Sequence, residues 1–115
     1  MERLDLAVTV DVPPERFPAE IEASAYFIVA EALTNVVKHA HAESAAVSAV
    51  IDAGMLRVEV RDDGIGGAEP SGPGLVGIND RVTALGGRFS VESPAGGGTV
   101  LTATLPISAV PADAG

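Results

Sequence analysis

A chain of 115 residues with 47% hydrophobic content has the length and the apolar supply for one domain around one core. Its net charge of −9 excludes a broad nucleic-acid surface, which needs a basic face, while leaving room for a small anion neutralised locally. With no cysteine, disulfides, thiolate metal sites and cysteine nucleophiles are excluded, in keeping with a reducing compartment. No apolar run reaches bilayer length, and Glu2, Arg3 and Asp5 interrupt what would be a leader.

Leu4, Leu6, Val8 and Val10 alternate with polar or small residues and predict a half-buried strand. Pro13, Pro14 and Pro18 make the next stretch a loop. A long helix is predicted from Ala19 to Ala40, with Glu20 and Glu22 at the positive end of its dipole and Lys38, His39 and His41 at the negative end. Two strands follow, Ala46–Asp52 and Leu56–Asp62, joined as a hairpin at Ala53-Gly54. Residues 63–73 lack a hydrophobic period and read as a loop. A second helix runs from Leu75 to Leu85 and ends at Gly86-Gly87. Alternation over Arg88–Ser93 and Thr99–Leu105 gives two last strands around the turn Pro94–Gly98. The residues after Pro106 read as linker, so the domain is placed at 1–108 with a disordered tail at 109–115. Hairpins dominate and two helices are available to cover one face. That pattern favours an α+β, two-layer sandwich with a mixed, mostly antiparallel sheet over a doubly wound one.

The long helix carries the first candidates. At about 100° per residue, with Glu31 at 0°, Asn35 falls near 40°, Lys38 near −20° and His39 near 80°. On the same scale, Val29, Leu33, Val36, Val37 and Ala40 fall between about 140° and 240°. The helix is therefore expected to bury the valine–leucine stripe and to present an acid, an amide, an amine and an imidazole opposite it. The amide oxygen of Asn35 is a hard donor suited to magnesium, Glu31 is placed to orient a metal-bound water, and Lys38 to meet a phosphate as a point charge. Each taken alone also fits a solvated helix face.

Asp62 is the sharpest single residue. The period of two puts it on the same face as Leu56, Val58 and Val60, so a carboxylate is expected on the buried side of a strand. It must find a donor there, either by capping the turn at Gly64 or by accepting a hydrogen bond from a ligand amine such as that of adenine. Gly64 and Gly66 let the backbone turn close to such a ligand. Gly72-Pro-Gly74-Leu75-Val-Gly77 spells G-x-G-x-x-G, but Glu69-Pro70-Ser71 precedes it where a dinucleotide fingerprint needs a buried strand. What remains is a set of free N–H groups at the positive end of a helix, suited to an anion. Thr99, after three glycines, is either a plain strand residue or a second polar contact beside Asp62.

Taken together, Glu31-Ala-Leu-Thr-Asn35-Val-Val-Lys38-His39-Ala40 resembles the N box, Asp62-Asp-Gly64-Ile-Gly66 the G1 box and Gly72-Pro-Gly74-Leu75-Val-Gly77 the G2 box. These mark the ATP-binding catalytic domain (GHKL, Bergerat-type fold) of bacterial sensor histidine kinases. The run Gly77–Gly87 and the closing Gly96-Gly-Gly-Thr99 are most similar to the nitrate-sensor (NarL-partner) and DesK-like subgroup. The resemblance implies ATP and Mg2+ as cofactors. It implies Asn35 and Glu31 at the metal, Glu31 and Lys38 in catalysis, and Lys38 and His39 near the nucleotide. Asp62 would bind the adenine amine with Thr99 in support, Gly64 and Gly66 would shape the base pocket, and Gly72, Gly74, Leu75 and Gly77 would form the lid. Implied partners are ATP, the dimerisation and phosphoacceptor domain of a parent kinase and, through that parent, a response regulator. No nucleic-acid or direct membrane contact is implied, and the location is cytoplasmic.

Two departures from the family pattern are visible. The segment between the G1 and G2 boxes is short, so the lid is expected to be small. No dimerisation helix with a phosphoacceptor histidine occurs in these residues, so the chain is expected to bind ATP without phosphorylating itself. Two other readings stay open: an anti-sigma-factor serine kinase of the same fold, and a degenerate binding module. The glutamate-led N box speaks against the first, and intact Asn35, Asp62 and glycines against the second.

Overall fold

The computed structural model describes residues 7–12, 17–37, 42–64, 73–93 and 97–107. In chain order these form β1 (Ala7–Asp11), α1 (Ala19–Asn35), β2 (Ser44–Asp52), β3 (Met55–Asp62), α2 (Pro73–Ala84), β4 (Arg88–Glu92) and β5 (Thr99–Pro106). The expected sequence of strands and helices is the one observed. The tail expected at 109–115 lies outside the described residues.

The five strands make one sheet in the order β1-β2-β3-β5-β4. The β1–β2 pair is parallel and the other pairs are antiparallel, so the sheet is mixed and mostly antiparallel. Because β4 and β3 both run against β5, they are parallel to each other. The chain therefore contains two crossovers, β1-α1-β2 and β3-α2-β4. In such a unit the helix runs back against its strands. The C-terminal end of α1 thus returns to the end of the sheet where β2 begins, and the N-terminal end of α2 leaves from the end where β3 finishes. Those are the same end, since Ala45 pairs with Asp62.

Both helices pack on one sheet face. Val47, Val58, Val60, Leu101, Ala103 and Leu105 supply the strand side of the core, Ile21, Ile28 and Ala32 the α1 side, and Leu75, Ile78 and Val82 the α2 side. The opposite face carries Arg57, Glu59 and Arg61, with an Arg61–Glu59 ion pair at 2.9 Å. Helix α1 starts without a side-chain N-cap. The Pro18 carbonyl accepts from the N–H groups of Ile21 and Glu22, and Glu22 reaches back to accept from the Phe17 N–H at 2.9 Å. Helix α2 begins with proline, whose missing N–H costs nothing in a first turn. It closes at Gly86, where φ is +80°, and Gly87 donates back to the Val82 carbonyl. The hairpin turn has left-handed backbone at both Ala53 and Gly54, as the right-handed twist of two-residue hairpins requires.

Two expectations are corrected. The buried face of α1 is formed by Ile21, Ser24, Ile28, Ala32 and Val36, centred about one quarter-turn away from the predicted stripe. Val29 and Leu33 are half-buried and Val37 is exposed. The helix is apolar over far more than the usual stripe, and the small residue Ala32, which carries little weight in a hydrophobic pattern, is buried in the core. Val29 and Leu33 instead line an apolar groove of about 340 Å³ between α1 and the β1 side of the sheet. The second correction concerns β1. A half-buried strand places its apolar face in the core, yet Val8 and Val10 are 41% and 63% exposed. They face the helix layer, in register with Ala45 and Val47, but α1 lies over β3 and β5 rather than over this edge strand.

Candidate functional site

The register of the sheet assembles a polar row at the end where both crossovers converge. Asp62 pairs with Ala45 on one side and Thr99 on the other. Extending the Glu92–Val100 pairing by one residue brings Ser93 opposite Thr99. The Ser93 and Thr99 hydroxyl oxygens are 2.6 Å apart. Paired residues share a sheet face, so Asp62, Thr99 and Ser93 all look toward the helix layer. The next row inward, Val47-Val60-Leu101-Val91, is wholly apolar. The polar row therefore sits on the rim of the core, with its back to hydrocarbon.

Asp62 lies on the core side of β3, as its period predicts, and it is half-buried. It also caps its turn, because Oδ1 accepts from the Gly64 N–H at 2.7 Å. The two alternatives read from the sequence are therefore not exclusive. A carboxylate offers about four lone-pair positions on two oxygens, more than the Gly64 and Thr99 backbone N–H groups fill. Burial pushes the Asp62 carboxyl above its ordinary value and neighbouring Asp63 adds to the push, while the Gly64 and Thr99 backbones oppose it. An acid held this way gains from a ligand donor that stabilises its charge.

Gly98 fixes how closely β5 approaches β3 at this point. Its φ is +79°, and a Cβ there would stand 2.5 Å from the Asp62 carbonyl oxygen. Asp63, on the solvent side, ties the start of β2 to the same turn. Its Oδ1 accepts from the N–H groups of Glu43 (2.9 Å) and Ser44 (3.0 Å), and its Oδ2 from the Ser44 hydroxyl (2.9 Å). These bonds, those from Ser44 foremost, hold its carboxyl below the usual range. Neither Gly98 nor Asp63 was singled out as a site residue from the sequence, although the glycine run before Thr99 and the doubled aspartate were the available signals. Ser93 was read only as a strand residue, and nothing in a lone serine could have placed it beside Thr99.

Both helices add groups at this end. Glu31 and Asn35 lie one turn apart on α1, both half-buried, flanking the core stripe rather than standing opposite it. Their oxygens are hard donors of the type magnesium takes, completed by water and phosphate. Among the described residues no cluster of three or more metal-ligating side chains exists, so such an ion would depend on its ligand's own oxygens. Gly74 and Leu75 lie in the first turn of α2, where backbone N–H groups lack intrahelical partners. The Leu75 side chain is buried in the core, which leaves its backbone as the part available to a ligand. Gly77 is inside α2 rather than in a loop, with the Phe27 ring 3.8 Å from where a Cβ would be. Arg81, one turn on, stacks over that ring at 4.5 Å and links α2 to α1. Lys38, His39, Gly66 and Gly72 lie outside the described residues.

Residues 20–109 match the family model described as histidine kinase-, DNA gyrase B- and HSP90-like ATPase. The chain belongs to this family. Among similar proteins, the oxygen sensor histidine kinase NreB of Staphylococcus carnosus is 35% identical over 82% of this chain and 28% of its own length. The nitrate/nitrite sensor protein NarQ of Escherichia coli is 36% identical over 84% of this chain and 18% of its own. The histidine kinase domain of the Erythrobacter litoralis EL346 blue-light activated histidine kinase superposes with a TM-score of 0.79 at 27% identity, over 92% of this chain and 54% of that one. The chain thus spans between 18% and 28% of the length of these two sensor proteins, and the similarity to a nitrate sensor agrees with the subgroup that the sequence resembles.

Proposed function

We propose that residues 1–108 form the Mg-ATP-binding catalytic domain of a two-component sensor histidine kinase, supplying the γ-phosphoryl group to a histidine on a dimerisation domain of the parent. The observation that carries this is the half-buried Asp62 carboxylate in one cross-strand row with Thr99, at the end of the sandwich reached by the last turn of α1 and the first turn of α2. Similarity to sensor kinases supports the reading over a serine kinase.

In this reading Asp62 accepts from the exocyclic amine of adenine, Thr99 adds a polar contact, and Gly64 and Gly66 leave room for the base. Backbone N–H groups at Gly74 and Leu75 face phosphate, with Gly72 and Gly77 framing that turn. Asn35 offers its amide oxygen to magnesium, Glu31 orients a water there, and Lys38 and His39 lie toward the phosphates. Magnesium supplies charge neutralisation of the phosphate oxygens when bound. The domain's part in phosphoryl transfer is positioning and charge stabilisation. The acceptor histidine and the response regulator belong to the parent's other parts, and the domain works in the cytoplasm. No helix among the described residues is long and apolar enough to cross a membrane.

Calorimetry with ATP, with and without magnesium, tests this. Binding is expected to tighten with magnesium, and Asn35→Ala is expected to remove that gain while leaving metal-free binding in place. An Asn35→Ala variant with the full magnesium effect contradicts the metal assignment.

A further inference from the structure

Asp62 and Asp63 leave the end of β3 on opposite faces. The Asp63 N–H donates to the Ser44 carbonyl at 3.3 Å, which makes Ser44–Asp63 a bonded pair one step beyond the Ala45–Asp62 register. A continued antiparallel ladder would return the Ser44 N–H to the carbonyl of residue 63. Here the Asp63 side chain takes it. Oδ1 accepts from the Ser44 N–H at 3.0 Å and from the Glu43 N–H at 2.9 Å, while Oδ2 accepts from the Ser44 hydroxyl at 2.9 Å. The side chain finishes the ladder, so the backbone is able to turn away at Gly64. The adjoining Ala45–Asp62 pair is the non-bonded one in this alternation, so Asp62 is tied to β2 through its neighbour. On the other face the Asp62 Oδ1 accepts from the Gly64 N–H at 2.7 Å. The two carboxylates thus grip one turn from its two sides.

We propose that Asp63 is a positioning residue for base recognition: by pinning the end of β3 to the start of β2, it fixes the backbone from which Asp62 presents its carboxylate. Asp63 faces solvent, acts through Asp62 and the Gly64 turn, and does not touch the nucleotide. The inference rests on the reading of Asp62 as the base acceptor.

Calorimetry with adenosine, which carries no phosphate charge, tests it at pH 7 and well below each variant's Tm. Asp63→Ala removes the three carboxylate bonds and is expected to weaken adenosine by roughly 3- to 10-fold, as for a hydrogen bond loosened but not abolished. Asp63→Asn removes the charge but keeps an oxygen for the two N–H groups and an amide that donates to the Ser44 hydroxyl, so it is expected to retain wild-type affinity. In the Asp62→Asn background, Asp63→Ala is expected to add nothing, because the acceptor it positions is gone. A lower Tm for Asp63→Ala with unchanged adenosine affinity makes the clamp structural only and overturns the proposal. Equal losses in Asp63→Asn and Asp63→Ala, or equal losses in both backgrounds, overturn it as well. Should Asp63→Ala not fold, Ser44→Ala, which removes one of the three bonds, decides: a smaller loss supports the proposal and wild-type affinity overturns it. If Asp62→Asn itself leaves adenosine binding untouched, the base is not read here and the broader reading falls. If Asp62→Asn loses affinity and Asp63→Ala does not, only the role of Asp63 fails.

Discussion

Substituting Gly98 by alanine probes the join between fold and site. Two separate costs arise. The residue has φ of +79°, and an L side chain in left-handed backbone costs about 1–2 kcal/mol. The new Cβ would also stand 2.5 Å from the Asp62 carbonyl oxygen and 3.5 Å from its carbon, which are backbone atoms that cannot swing aside. Forcing that contact apart costs about 1–3 kcal/mol. The sum is about 2–5 kcal/mol, or a fall in Tm of roughly 10–20 °C for a domain of this size. Relief comes from moving Thr99 away from Asp62, so nucleotide affinity should fall further than stability alone explains. Gly77→Ala is the matched control. It lies in a helix, its Cβ would make an ordinary 3.8 Å contact with Phe27, and alanine gains about 1 kcal/mol in helix propensity. Scanning calorimetry of both variants should show a large drop for Gly98→Ala and an unchanged or higher Tm for Gly77→Ala. Equal effects would refute the steric reasoning.

Asp62 should trade stability for binding. Its folded-state pKa is raised above 3.8, chiefly by burial. Its contribution to stability is therefore fully present below about pH 3.8 and lost as pH rises through the folded-state value. Asp62→Asn, which mimics the neutral side chain, should match or exceed the wild-type Tm at pH 7 in the absence of nucleotide; a clear drop there contradicts the sign. Asp63 has the opposite sign: its pKa is lowered by bonds from Ser44 and Glu43, so its contribution is present above 3.8 and fades as pH falls through the folded-state value below it. Asp63→Ala should lower Tm at pH 7 and flatten the acid limb of the Tm–pH curve, and an unchanged acid limb would show that the clamp carries no stability.

Much of the fold was legible because alternation in β2 to β5 and the glycine breaks after Asp52 and Leu85 agree with one another. The inward turn of Asp62 followed from a period of two alone. What period could not give was the rotation of α1. That helix is apolar toward both the core and the groove beside Tyr26, Val29 and Leu33, and a pattern with two apolar sides has no unique inner face. Nor could it give the β1 environment, since which strands a helix covers depends on the crossover angle. Ser93 escaped notice for a related reason: the distance that matters runs between two strands, and only their register reveals it.

Recognition of adenine by the Asp62 carboxylate underlies every role proposed for this site. The most direct test compares Mg-ATP with Mg-GTP by calorimetry on the wild type and on Asp62→Asn. Guanine places a carbonyl where adenine has its amine, so the wild type should prefer ATP. Loss of a charge-assisted hydrogen bond, worth about 1.5–3 kcal/mol, should weaken ATP by roughly 10- to 150-fold in the variant while leaving GTP almost unchanged. Equal affinity of the wild type for both nucleotides, or undiminished ATP binding by Asp62→Asn, would contradict it.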